Sequence, residues 1–121
     1  MTILIRGGYV VDPLTKKEGC FDVLVEGDRI KKVEENIEVQ ADKVIDASGC
    51  YVMPGFIDLH VHFRDPGLEY KETLETGGKA AVQGGVTTVC AMPNTKPVID
   101  TAEKVADVHM RAKKESLTHV I

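Results

Sequence analysis

The chain has 121 residues, 43% hydrophobic and 28% charged, with 15 basic and 19 acidic residues and a net charge of −4. Those proportions fit a small globular chain with a modest core and exclude a disordered one. The charges are interspersed without a basic patch, which argues against a nucleic-acid partner. No apolar run is long enough for a signal core or a membrane span, so the expected compartment is the cytoplasm.

Cys20, Cys50 and Cys90 are odd in number, widely spaced and free of any CxxC pairing. That excludes both a disulfide framework and a thiolate zinc site, and leaves reduced, mostly buried thiols as the expectation.

Up to about residue 52, short β-branched runs alternate with turns. Strands are predicted at Thr2–Arg6, Tyr9–Asp12, Phe21–Glu26, Arg29–Glu34, Lys43–Asp46 and Tyr51–Met53. Gly7-Gly8 and Gly27-Asp28 are two-residue links of the kind that close hairpins, since glycine reaches positive φ without steric penalty. Phe21, Val23 and Val25 alternate with Asp22, Leu24 and Glu26, so at least one face is apolar. Residues 1–52 therefore form an all-β module.

From residue 53 to 121 the rhythm becomes strand–helix–strand–helix. Phe56–Phe63 is a strand and Lys71–Gln83 a helix whose Gly77-Gly78 pair permits close packing against a sheet. Val86–Cys90 is a second strand and Met92–Asp100 a loop with two prolines. Asp100 and Glu103 have capping-box spacing. They open a helix to about Glu115, with Val105, Val108 and Ala112 on one face. Leu117–Ile121 begins a third strand, which has no partner and no following helix. Alternating strands and helices imply right-handed βαβ units and a parallel sheet. A closed barrel of such units needs about 250 residues, so the expected architecture is α/β, with an incomplete barrel behind a small all-β module. The chain reads as the front piece of a longer protein.

The chemistry concentrates in Phe56-Ile57-Asp58-Leu59-His60-Val61-His62-Phe63-Arg64-Asp65-Pro66-Gly67. With a strand period of two, Ile57, Leu59, Val61 and Phe63 share an apolar face that packs under helices. Asp58, His60, His62 and Arg64 share the other. Two imidazoles at i and i+2 lie close enough to bind one cation, and neutral imidazole suits zinc and similar ions. Asp58 is placed to orient an imidazole from behind. Arg64 suits a bidentate clamp on a substrate carboxylate, or alternatively an ion pair with Asp65 or Glu69. At the end of the next strand, Asn94 offers a donor and an acceptor beside the same mouth. It reads either as a partner of Arg64 on the substrate or as a turn-forming residue between prolines.

Met53-Pro54-Gly55-Phe56-Ile57-Asp58-Leu59-His60-Val61-His62-Phe63-Arg64-Asp65-Pro66-Gly67, followed by Ala91-Met92-Pro93-Asn94-Thr95-Lys96-Pro97, resembles the dihydroorotase family. The likeness is to its longer, bacterial type within the amidohydrolase superfamily. It extends to Val11-Asp12-Pro13 and Ile45-Asp46-Ala47-Ser48-Gly49. The resemblance implies a (β/α)8 TIM barrel flanked by a small β-sandwich built from both chain termini. It implies one or two zinc ions and the interconversion of dihydroorotate and N-carbamoyl-L-aspartate in pyrimidine biosynthesis. His60 and His62 would ligate the more buried metal, and Arg64 and Asn94 would bind the substrate carboxylate. Aspartate transcarbamoylase or a second copy of the chain is the implied partner.

The family's remaining ligands and its catalytic base come from later strands, so no catalytic base is expected within these residues. His109 and His119 match no ligand position; the first reads as a helix-surface residue and the second as structural. Two alternatives stand beside the main reading. A hydantoinase-like or allantoinase-like cyclic amidohydrolase would keep the fold and change the substrate. A non-catalytic assembly fragment would need a partner to cover its exposed strand edge.

Overall fold

Gly7 and Gly8, expected to close a hairpin, lie instead inside one long strand, β1 (Thr2–Asp12), in the computed structural model, which describes residues 1–121. The antiparallel pairing of β1 with β2 (Lys17–Glu26) shifts register between Ile5 and Gly8. The two glycines therefore form a bulge rather than a turn. One dihedral and two contacts explain it. Gly7 has φ +70, its N–H is 2.8 Å from Asp22 Oδ1, and a Cβ on Gly8 would meet Val52 Cγ2 at 2.4 Å. Gly27-Asp28 does close the expected hairpin, from β2 into β3 (Arg29–Glu34) with Glu26 opposite Arg29. β4 (Lys43–Asp46) and β5 (Tyr51–Val52) both run parallel to β1 along its other side.

The first of two compact units, Met1–Pro54, is thus one five-stranded sheet and not two facing sheets. Its buried cluster is small. Ile37 and Ala41 cover Leu4 and Leu24 on one face. On the other face Ile5, Val23, Val25, Ile30 and Val33 line an open groove of about 1010 Å³. A sandwich needs a second sheet there, and residues 1–54 supply none. Asp22, 4% exposed, ties this unit together by accepting from both Gly7 N and Ile37 N. The expected thiol burial does not hold: Cys20 and Cys50 are exposed and Cys90 is half-buried, all three unpaired.

The second unit, Gly55–Ile121, is a three-stranded parallel sheet in the order β6 (Phe56–Val61), β7 (Val86–Ala91), β8 (His119–Val120). β8 does find a partner, with Thr88 opposite His119 and Val89 opposite Val120. Between the strands run α1 (Leu74–Gln83) and α2 (Ala102–Glu115). α1 starts three residues later than predicted. Thr73 caps it, in a box with Thr76, because a side-chain oxygen there satisfies N–H groups that the first turn leaves open. α2 is capped by Thr101 and not by Asp100, whose carboxylate pairs with Lys104 Nζ at 2.6 Å.

The core of this unit joins Phe63, Leu74, Val89, Val108, Ala112 and Val120. Val105, expected on the same helix face, is 41% exposed. The glycine pair in α1 gives the close approach foreseen for it. A Cβ on Gly77 would lie 2.5 Å from the Phe63 ring, and one on Gly78 would lie 2.2 Å from Ser116 Oγ. The apolar face of β6 is only half used. Val61 and Phe63 reach the core, while Ile57 and Leu59 remain 62% and 70% exposed. α1 packs against β7 and α2 against β8, so neither helix covers edge strand β6. Register shifts beside Ile57 and between Asp58 and Val61 also break the strict alternation.

Candidate metal centre

β6 ends at Val61, two residues short of the predicted end, so His60 is on the strand while His62 and Arg64 lie just past it. The side chains of His60 and His62 still come together. Their Nε2 atoms are 3.1 Å apart, with ring centroids at 4.9 Å and ring planes at 65°. Two nitrogens bound tetrahedrally to one zinc at 2.0–2.1 Å stand about 3.3 Å apart. The pair therefore already has the spacing that a shared cation requires, and both rings are exposed to receive it.

The second nitrogen of His62 is also committed. His62 Nδ1 lies 2.9 Å from Asn94 Oδ1. An amide oxygen only accepts, so Nδ1 carries the proton and Nε2 presents its lone pair. Without a metal, the short Nε2–Nε2 approach then takes its proton from His60, and His60 Nε2 would have to give up that proton before both nitrogens could face one cation. Asp58, expected behind an imidazole, does something else: its Oδ1 accepts the backbone N–H of His60 at 3.0 Å. The group behind an imidazole is Asn94, which the sequence reading assigned to the substrate.

The parallel register explains how Asn94 arrives there. Val61 is opposite Ala91, so the loops after β6 and β7 leave the sheet at the same edge. Met92 N donates to Val61 O at 2.8 Å and Lys96 N to Pro66 O at 3.0 Å, fastening one loop on the other. Gly67 makes that contact possible. Its φ is +92, and a Cβ there would fall 1.7 Å from Lys96 O. A cleft of about 330 Å³ lies beside His62, lined in part by Asp58, Val61, Phe63 and Glu72.

Arg64 is half-buried and enters no ion pair with either proposed acidic partner. Glu69 Oε1 accepts the N–H of Gly67 at 2.7 Å. Asp65 is held bidentately by Arg111 of α2, at 2.7 and 2.8 Å, with the Asp65 side chain 1% exposed. Its Oδ2 also accepts from Leu74 N at 3.4 Å, the first residue of α1. Hydrogen bonding to Asp65 is the leading reason that the Arg111 pKa is raised above its ordinary value. Sequence reasoning missed this clamp. The available signal was Arg111 beside Val108 and Ala112 on the inward face of α2. His109 is half-buried in α2 and His119 exposed on β8; both line a separate depression with Lys113 and Thr118. The structure contains no cluster of three or more His, Cys, Asp or Glu side chains around one point, so the converging donors are the two imidazoles.

Comparisons with known proteins concern the chain as a whole. A family model described as Dihydro-orotase-like matches residues 49–121. The dihydroorotase of Aquifex aeolicus is 47% identical over the whole chain, which spans 29% of that relative's length. The dihydroorotase of Clostridium acetobutylicum is 50% identical over 112 residues, covering 92% of the chain and 26% of the relative. Among solved structures, the L-hydantoinase (dihydropyrimidinase) of Arthrobacter aurescens superposes with a TM-score of 0.87 at 27% identity. That match covers 98% of this chain and 26% of the other. A D-hydantoinase superposes with a TM-score of 0.81 at 30% identity, over 99% of this chain and 26% of the other. By the family match over residues 49–121, this chain belongs to the dihydroorotase-like family.

Proposed function

We propose that the protein carrying this chain is a zinc-dependent dihydroorotase, interconverting N-carbamoyl-L-aspartate and dihydroorotate in pyrimidine biosynthesis. Its β/α unit would then be the opening of a (β/α)8 barrel, with the site at the C-terminal ends of the strands, where such barrels carry their chemistry. One observation carries the reading: two imidazole Nε2 atoms converge at the end of a parallel strand, two residues before an arginine that has no acidic partner.

His60 and His62 would hold the zinc through Nε2. When bound, the metal supplies a water of lowered pKa and polarises the ring amide carbonyl. Arg64 presents two parallel N–H donors to the α-carboxylate that both dihydroorotate and N-carbamoyl-L-aspartate carry. Asn94 adds the N–H donors of its amide at the same edge. Zinc sites take four donors or three and a water, so further ligands and the proton-transferring carboxylate would come from outside residues 1–121. The chain alone is then expected to be inactive.

The structural neighbours favour a second reading, a hydantoinase, because the superposition with those enzymes is close over nearly the whole chain. Hydantoin and allantoin lack the carboxylate for which Arg64 is suited, and that separates the two. The full-length protein is assayed on dihydroorotate, hydantoin and allantoin, with its zinc content measured. Turnover of dihydroorotate, lost together with zinc in His60→Ala, supports the proposal. Turnover of hydantoin in preference, with Arg64→Ala unchanged in KM, refutes it.

A further inference from the structure

We infer that Asn94 is a two-sided positioning residue, its amide oxygen fixing the tautomer of His62 for metal while its amide nitrogen remains free for substrate. The inference rests on the proposed metal site and adds to it a link between metal affinity and substrate affinity. The geometry is direct. Asn94 Oδ1 is 2.9 Å from His62 Nδ1, and no other side chain in the unit hydrogen-bonds that ring apart from His60. Without an acceptor at Nδ1, neutral imidazole is free to carry its proton on Nε2 instead, the form that cannot ligate. The acceptor therefore selects the ligating form and holds the ring plane at the same time.

Asn94 is itself held. It stands between Met92 N–H, bonded to Val61 O, and Thr95, which is 5% exposed and donates its hydroxyl to Pro97 O at 2.8 Å. The backbone that aims the amide is thus tied on both sides of it. With Oδ1 engaged, the two N–H bonds of Nδ2 have no hydrogen-bond partner in the chain, and Asn94 is exposed.

Two substitutions separate the two sides. Asn94→Ala removes both, and Asn94→Asp keeps an oxygen acceptor for His62 while removing the donor. The full-length protein, labelled with ¹⁵N at histidine, is examined metal-free by long-range ¹H–¹⁵N correlation, and zinc affinity is measured by competition with a chelator. The wild type is expected to show His62 protonated at Nδ1. Asn94→Ala is expected to show a tautomer mixture and about 10–100-fold weaker zinc binding. Asn94→Asp is expected to keep the tautomer and the zinc affinity, with KM for dihydroorotate raised about tenfold or more. Wild-type tautomer or wild-type zinc affinity in Asn94→Ala overturns the inference, as does equal loss of zinc in both variants. His60→Ala is the control. If it also keeps zinc, the metal site itself is misassigned; if it loses zinc while Asn94→Ala does not, only the role of Asn94 falls.

Discussion

Arg111→Met tests whether the loop carrying the site is anchored from α2. In the wild type the Asp65 carboxylate is 1% exposed and its two oxygens are met by Nη1 and Nη2 of Arg111 at 2.7 and 2.8 Å. Methionine leaves a buried carboxylate with a single long bond, from Leu74 N at 3.4 Å. Breaking a fully buried pair this way costs about 3–5 kcal/mol. The Arg111 side chain is 30% exposed, so water reaches the site and the expected cost falls to about 2–4 kcal/mol. Asp65→Asn is milder, at about 1–2 kcal/mol, since Arg111 keeps Glu115 at 3.4 Å and solvent. The double variant buries a neutral amide under a thioether and leaves no orphan charge, so it should cost less than the sum by about 1–3 kcal/mol. Native-state hydrogen exchange of the α1 and α2 amides reads these local free energies directly. Loss of protection below about 0.5 kcal/mol in Arg111→Met, or strict additivity in the double variant, refutes the anchoring argument.

Gly67→Ala should fail twice over, through its φ of +92 and through contact with Lys96 O, and is expected to lower thermal stability and weaken zinc binding. An alanine variant as stable as wild type would mean the two loops are not pressed together. In α1, Gly77→Ala should destabilise because it strikes Phe63. Gly84→Ala, at φ −88 with nothing nearer than 3.5 Å, should be neutral or gain about 0.4–1 kcal/mol. Equal unfolding midpoints for the two would contradict the packing. Acid should also weaken the fold by a definable route. Pairing with Lys104 and Lys79 lowers the pKa of Asp100 and Glu75, and hydrogen bonds from Thr15 and Ser48 lower those of Asp12 and Asp46. A carboxylate depressed in the folded state contributes stability above its unfolded pKa, and that contribution is lost as pH falls through the folded value. Melting temperature should therefore hold at pH 5 and above and decline below about pH 4. A flat profile down to pH 3 would show that these contacts contribute nothing.

Local patterns in the sequence were read well where the cause was local. Val86–Cys90 falls short of β7 by one residue, and Gly27-Asp28 is the turn it was expected to be. Both follow from β-branched runs and from glycine in the left-handed region. Gly7-Gly8 looked the same in sequence and became a bulge, because the deciding contacts come from Asp22 and Val52, both far along the chain. The start of α1 was set too early for a related reason. Residues 71–73 have helical composition, but Thr73 and Thr76 complete a capping box that fixes the boundary. Of the apolar face expected on the first strand of the second unit, Val61 and Phe63 reach the core while Ile57 and Leu59 stay exposed, because periodicity alone does not tell which neighbours exist to cover it. Asp65 was weighed as an ion-pair partner of Arg64; its actual partner, Arg111, is 46 residues away and no spacing rule reaches that distance.

The site divides along the same line. The meeting of His60 and His62 follows from the period of an extended chain and survives the early end of β6, since two residues of extended backbone suffice to align two rings. The nearness of Asn94 follows from topology, because parallel neighbours must release their chains at one edge. Its hydrogen bond follows from neither. The aim of its amide oxygen at the imidazole depends on the Val61–Ala91 register and on the Gly67 contact that seats one loop on the other. A shift of one residue in that register would carry Asn94 past His62 by roughly 3.3 Å, the rise of an extended residue. The 2.9 Å contact would then be lost while every sequence motif stayed intact. The chemistry of the centre therefore depends on the fit between two loops, and Gly67 is the residue through which that fit is most directly perturbed.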